Sequence, residues 1–432
     1  MSRRISSILL SIVLLLVAGH VLSAQEGTYS AFSPYSVFGV GDLSSPGAAY
    51  SKTMGGVGVA GRDHRHINTI NPAAVTARDT LSFMVDISLF QSNSIYRQGD
   101  LRSAKNMFNI NSFALSVPIW RKSAMMFGIA PYSSLGYNFS NNQIDPNAGV
   151  IKYSSEGTGG LYELYFGAGA TFWKRISVGA QMVYHFGKIE KSTDIDFLDT
   201  SVRDMESGFE MSLNGFAGRF GVQYEQPIGM TRLTVGATYK TPTVLRGNVN
   251  DFKYAILGTV VDTVRNVVAT PGASLASEIG VGVSLRQTEH WSAEIDYTFS
   301  DWRSTRIDSS AGFSNIVEDG PSFTSGIAHT IRGGFEYIPN RNDLRYRMRR
   351  WSYRGGLYYK QSYFQIGQKP VNTYGLTFGV TIPVFQLYNG LTVGVDMGQR
   401  GSLAGGMIRE QYLTFHIGIS LHDIWFRKFQ YE

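Results

Sequence analysis

Leu413-Thr-Phe415-His-Ile417-Gly-Ile419-Ser-Leu421 is apolar at every second position, with the polar or small residues Thr414, His416, Gly418 and Ser420 between. A period of two puts every apolar side chain on one face of an extended strand. Working outward, the same alternation recurs at Leu391/Val393/Val395/Met397, Tyr374/Leu376/Phe378/Val380, Ile279/Val281/Val283/Leu285 and Leu233/Val235/Ala237/Tyr239. It begins with Leu81-Ser-Phe83-Met-Val85-Asp-Ile87-Ser-Leu89. The alternating segments number about 14, an even count as bacterial barrels require. They lie near 81–89, 107–120, 124–139, 160–173, 175–188, 208–225, 231–246, 273–286, 290–303, 327–338, 351–365, 371–385, 390–399 and 409–425. The fold class expected is all-β, a closed antiparallel transmembrane barrel. Lipid takes the apolar face, and closure removes the unpaired edges that hydrocarbon does not tolerate.

The connections give an independent criterion. Those at 120–123, 173–175, 226–230, 286–289 and 386–389 are brief, whereas those near 91–106, 140–159, 189–207, 247–272 and 304–326 are long and polar. Short periplasmic turns alternating with long external loops mark an outer-membrane barrel and put both termini on the periplasmic side. Trp120, Trp173, Trp291, Trp302, Trp351 and Trp425 fall near segment ends, as interfacial girdles do.

Arg3 and Arg4, the apolar run Ile8 to Ala18 and the small Ala24 read as a signal peptide over residues 1–24. That run is too short to span as a helix, and no second one follows. The chain has no Cys, which excludes a disulfide framework and thiolate metal sites. Net charge is +6, modest enough that nucleic acid is an implausible partner for an exported barrel; outer-membrane lipids are the expected one. The domain reading is 1–24 signal peptide, 25–79 N-terminal segment and 80–432 barrel.

Residues 28–80 carry a more specific pattern. Phe38-Gly-Val-Gly41-Asp42-Leu43 leads to Met54-Gly-Gly-Val-Gly-Val-Ala60 and then Ile70-Asn71-Pro72-Ala73, just before the first strand. This order resembles the FadL-like outer-membrane transport proteins, in which a Gly-rich segment with an Asn-Pro-Ala motif forms a hatch plugging a 14-stranded barrel. The style of the segment and of Asp423-Ile-Trp-Phe-Arg-Lys428 is similar to the Bacteroidota branch. The resemblance implies a hatch motif of Gly55, Gly56, Gly58, Asn71, Pro72 and Ala73. It implies uptake of a hydrophobic small-molecule ligand, fatty-acid-like or aromatic. It also implies lateral exit where the third strand is kinked, here at Gly128 and Pro131. Pro131 cannot donate to a ladder and needs a kink, bulge or strand end. FadL-like barrels also serve as non-transporting components of envelope machines. The short acidic stretch 189–207 (Glu190, Asp194, Asp196, Asp199, Asp204) departs from the oily loops of the transporters and keeps that alternative open.

The alternation aims Asp86, Glu163, His185, Glu294, Asp296, Arg332, Glu336, Arg354, Asp396 and His416 into the lumen. Charges in a closed lumen need partners or water. Arg332 and Arg354 are therefore expected to pair with carboxylates on neighbouring strands or on Asp42 and Asp63. Gly56-Val-Gly58-Val-Ala-Gly61 has dinucleotide-loop spacing, but no βαβ unit and no acidic residue about 20 positions on; tight backbone packing explains it better. Asp63-His64-Arg65-His66 lacks further ligands and reads as a polar loop rather than a metal site. No strand face puts an outward His beside an outward Ser, so catalysis is not expected, nor any cofactor. One turn breaks the short rule: Asn340 to Arg350 carries Arg341, Arg345, Arg347, Arg349 and Arg350. Of these, Arg345, Arg347, Arg349 and Arg350 are expected to contact lipid phosphates or a protein partner at the periplasmic face.

Overall fold

The computed structural model describes residues 31–78, 82–120, 122–145, 149–197, 202–314, 323–384, 389–403 and 407–424. The signal-peptide reading, Trp425 and the Phe426–Lys428 end of the C-terminal motif lie outside them.

The wall has 14 antiparallel strands: β1 (Ser82–Gln98), β2 (Leu101–Trp120), β3 (Ser123–Asp145), β4 (Gly149–Phe172), β5 (Ile176–Phe197), β6 (Asp204–Ile228), β7 (Thr231–Lys240), β8 (Glu278–Gln287), β9 (Trp291–Asp301), β10 (Ile327–Tyr337), β11 (Ser352–Ile366), β12 (Lys369–Pro383), β13 (Gly390–Arg400) and β14 (Arg409–Ile424). Each pairs with its sequence neighbours, and β1 pairs with β14 from Ser82↔Ile424 to Arg97↔Arg409, which closes the barrel. On β14, Leu413, Phe415, Ile419 and Leu421 are exposed outward while Thr414, His416, Ser420 and His422 are buried. The outward face of β8 (Ile279, Val281, Val283) and of β12 (Tyr374, Leu376, Phe378) repeats this. Such an apolar belt is what hydrocarbon requires.

The long connections are mostly not loops. β1 and β2 run on to a tight turn at Gly99–Asp100, and β3 to β6 extend over 22 to 25 residues, far beyond the ~10 that a bilayer needs. The 247–272 stretch is a hairpin of Arg246–Leu257 and Val260–Ala269, laid along the upper part of β6. Beyond the hydrocarbon both faces of a strand can be wet, so the alternation fades while the ladder continues. Trp302 is a second correction. It continues the inward series 294, 296, 298, 300 and is 1% exposed, packed at a tilt against Tyr363 with ring centroids 4.5 Å apart and donating to Ser300 Oγ at 2.9 Å, rather than standing in a girdle.

The interior has two halves. Beside the extended strands, Tyr35 and Phe38 of the N-terminal segment join Leu135, Leu161, Ile189 and Met211 of the wall in one buried apolar cluster. At the short-turn half, polar and charged side chains dominate.

Candidate functional site

Residues 31–78 pack against the inner faces of the wall nearly all the way round. Glycines make the approach possible. A Cβ on Gly356 of β11 would lie 2.2 Å from the Gly55 nitrogen, and one on Gly236 of β7 would lie 2.2 Å from the Val59 carbonyl. Gly55 and Gly56 themselves hold φ of +75° and +79°, a left-handed turn that side-chain-bearing residues rarely adopt. Gly58 is buried against Ile70. Asn71 caps the 3-10 turn Pro72–Ala77: its Oδ1 accepts from Ala73 N at 3.0 Å, its Nδ2 donates to Val59 O at 2.7 Å, and Pro72 occupies the first turn position. That turn, with Ala73 fully buried, sits on Gly179 of β5 and Gly221 of β6, where a Cβ would strike Pro72 and Asn71.

Strand β9 holds the segment by its backbone. Asp296 Oδ2 accepts from Gly58 N at 2.7 Å and Val59 N at 2.9 Å, and Glu294 Oε1 accepts from Ala60 N at 3.0 Å. Thr377 of β12 accepts from Gly55 N at 2.8 Å. These acceptors satisfy amides that have no secondary-structure partner, which burial would otherwise penalise.

Next to this clamp lies a buried ionic network. Arg65 bonds Asp63 Oδ2 and Glu336 Oε2, each at 2.6 Å. Arg354 pairs with Glu336 at 3.0 Å, donates to Thr381 at 2.6 Å and meets His66 Nε2 at 3.1 Å. The other ring nitrogen of His66 is 3.2 Å from Ser420, which donates to Asp86 at 2.8 Å. Burial, joined by the Arg354 charge, holds the His66 imidazole well below its usual range, so it is neutral. Burial would raise the Asp63 carboxyl, but the Arg286 and Arg65 guanidiniums outweigh it and hold it well below the usual carboxylate range. The Asp63-His64-Arg65-His66 loop is thus a docking element, and no group of three or more potential metal ligands occurs among the described residues.

The arginines divide. Arg354 reaches Glu336 on the adjacent strand. Arg332 has no ion pair with Asp42 or Asp63, nor with Asp296 directly across on β9, whose Oδ2 takes the Gly58 and Val59 amides; it donates to Thr298 at 3.2 Å, while Asp42 is bonded by Arg400 at 2.6 Å and Asp63 by Arg65 and Arg286. Arg62 (to Gln223 and Ser177), Arg286 and Arg400 belong to the site without any sequence motif that marks them. Strand parity alone could have flagged Arg286, two positions beyond inward Ser284. Arg332 and Asp396 instead border a cavity of about 190 Å³ whose lining mixes Lys52, Asn111 and His416 with Phe90, Pro131 and Tyr358. Burial, only partly opposed by Asp396, pushes the Lys52 ammonium down to about 8.

Pro131 lies at a bulge. The β3–β4 register shifts between Pro131 and Ser133, and β2–β3 pairing ends at Phe113↔Ile129. Gly128 leaves room for the Tyr165 hydroxyl. Above the split, the two-residue strand Asp42–Leu43 pairs with Ser133 and Ser134. At the short-turn end, Arg345, Arg347 and Arg349 are exposed and Arg350 half-buried around a 3-10 turn, Arg347–Arg350.

The 14-stranded closed barrel is a fold shared with transporter barrels of known structure. The toluene transporter TodX of P. putida superposes with a TM-score of 0.60 at 14% identity, over 90% of this chain and 100% of that one. TbuX, the toluene transporter of Ralstonia pickettii, gives 0.58 at 16%, over 87% and 98%. A Pseudomonas aeruginosa FadL homologue gives 0.55 at 13%, over 90% and 99%. At such identities the likeness is one of fold. The chain itself belongs to the BamG family, whose profile matches residues 1–432. Among curated proteins nothing matches.

Proposed function

We propose that this chain is an outer-membrane accessory barrel, a non-transporting subunit of an assembly or secretion complex, in which residues 25–79 form a fixed hatch. The carrying observation is the buried Asp63–Arg65–Glu336–Arg354–His66 network. Breaking a buried ion pair by removing one partner costs about 3–5 kcal/mol. A hydrophobic ligand brings no charge with which to replace these bonds as it passes. In the adjoining cavity Lys52, Arg332 and Asp396 stand beside Phe90, Pro131 and Tyr358, so an uncharged guest there would meet charged groups. The half beside the extended strands is filled by the cluster around Phe38. The family, BamG, bears a different name from the transporters whose fold it shares. In this reading the short turns and both termini face the periplasm, where a partner is within reach, and the chain is of the Bacteroidota type that its Gly-rich segment resembles.

The second reading is uptake of a hydrophobic small molecule with lateral exit beside Pro131. The bulge there and the parting of β2 from β3 favour it. Purification from native outer membranes in mild detergent separates the two. Stoichiometric protein partners without a lipophilic guest support the accessory role. A solitary barrel carrying a bound amphiphile, with uptake of a hydrophobic probe reduced by Pro131→Thr, overturns it.

A further inference from the structure

The turn between β10 and β11 is built rather than slack. Asp343 accepts from the backbone of Arg345 and Tyr346, both at 2.8 Å, and Asn340 N bonds Arg349 O at 2.8 Å. Tyr346 lies between Arg345 and Arg349, whose guanidiniums are 5.3 and 4.9 Å from its ring. Arg341 anchors the base of the turn on Glu289 at 2.9 Å. The turn also folds back onto the barrel. Tyr353 points outward on β11, opposite Tyr337 of β10, and its hydroxyl donates to Met348 O at 3.0 Å. Tyr337 and Tyr353 end the outward face here, beyond Phe335 on one strand and Gly355 and Leu357 on the other. Met348 is 61% exposed at that level, with arginines on both sides of it in sequence.

An apolar side chain at the edge of the belt, flanked by guanidiniums and interfacial tyrosines, matches the boundary between acyl chains and headgroups. Guanidinium forks bind phosphate oxygens in pairs. We propose that this turn is a binding site for the phosphate of an anionic phospholipid, with Arg345, Arg347, Arg349 and Arg350 around the headgroup and Met348 against the first acyl carbons. A protein partner is disfavoured because Tyr353 ties the backbone of the turn, at Met348, to the edge of the belt, although Arg349 also contacts Asp343 at 3.4 Å. The inference rests on the barrel being membrane-embedded and is independent of its accessory role.

Native mass spectrometry of the detergent-solubilised full chain tests it, with dioleoylphosphatidylglycerol titrated against dioleoylphosphatidylcholine. The wild type should prefer the anionic lipid by roughly tenfold or more, since each basic residue near a headgroup layer contributes on the order of a fivefold factor. Raising ammonium acetate from about 0.1 to 0.5 M should shrink that preference severalfold, a readout that needs no variant. The combined Arg345→Gln, Arg347→Gln, Arg349→Gln and Arg350→Gln variant should lose at least tenfold for phosphatidylglycerol and leave phosphatidylcholine unchanged. Tyr353→Phe, which keeps every charge, should lose about threefold. Undiminished phosphatidylglycerol binding in the quadruple variant overturns the proposal. Displacement of the lipid by equimolar inorganic phosphate overturns it in favour of a free anion. Loss of a co-purified protein with lipid binding intact overturns it in favour of a protein dock. Partner recovery from native membranes tests the accessory role separately.

Discussion

Arg65→Gln should release the N-terminal segment without unfolding the barrel. Arg65 makes bonds of 2.9 and 2.6 Å to Asp63, 2.6 Å to Glu336 and 3.2 Å to Ser352. All are buried, the side chain being 5% exposed. Removing one member of a buried charge cluster costs about 3–5 kcal/mol. Here Asp63 keeps Arg286 at 3.2 Å and Glu336 keeps Arg354 at 3.0 Å, so neither carboxylate is left bare. That places the loss near the lower end, about 3 kcal/mol, or on the order of a hundredfold in the released population at 1.4 kcal/mol per tenfold. Hydrogen–deuterium exchange reads it directly at the amides of Gly58, Val59 and Ala60, which are protected by Asp296 and Glu294 rather than by a ladder. Their exchange should quicken by about two orders of magnitude while the β12–β13 ladder stays unchanged. An acceleration under about threefold, or an equal one in the barrel strands, would falsify the assignment of Arg65 as a latch.

Gly356→Ala should displace the segment through sterics alone, because the new Cβ meets backbone at Gly55 and Met54; protease cleavage near Gly55 in a barrel of normal gel mobility is the check. Acid should loosen docking. The buried His66 stays neutral where the released chain is protonated, so this group's contribution to docking is lost as pH falls below about 6.5 towards its lower docked value. Asp63 adds a further loss as pH falls below its ordinary value of 3.8, towards its lower docked value. Single-channel conductance between pH 7.5 and 5 should rise reversibly; a flat response refutes the linkage. Lys52 acts at the other end. Its docked value of about 8 lies below the ordinary 10.5, so docking gains stability as pH rises between them, and Lys52→Met should abolish that gain in the exchange assay.

The wall was legible because lipid enforces it: wherever the strands cross hydrocarbon, Ile279, Leu376 or Phe415 had to alternate with something small or polar. The same rule goes silent beyond the membrane, which is why the extensions of β3 to β6 read as loops. Parity also gave the inward direction of Glu294, Asp296, Glu336 and Arg354. It could not give their partners. Asp296 bonds amides 237 and 238 positions away, and nothing local distinguishes a carboxylate that grips a backbone from one that meets an arginine. Arg332 and Arg354 are equivalent by parity; Arg354 pairs with Glu336 directly across from it, whereas the carboxylate opposite Arg332, Asp296, accepts from the Gly58 and Val59 amides.

The closure ladder between β1 and β14 has a consequence for how the protein comes into being. The N-terminal segment is bound by β9, β11 and β12, which are made long after it, and it is sealed in when β14 zips onto β1. Threading it through a finished wall would drag charged loops past packed side chains. A barrel closed last at this seam wraps around its own beginning, with the segment at hand as a former for the register of the late strands, and the joining of first strand to last is then the step that makes enclosure final.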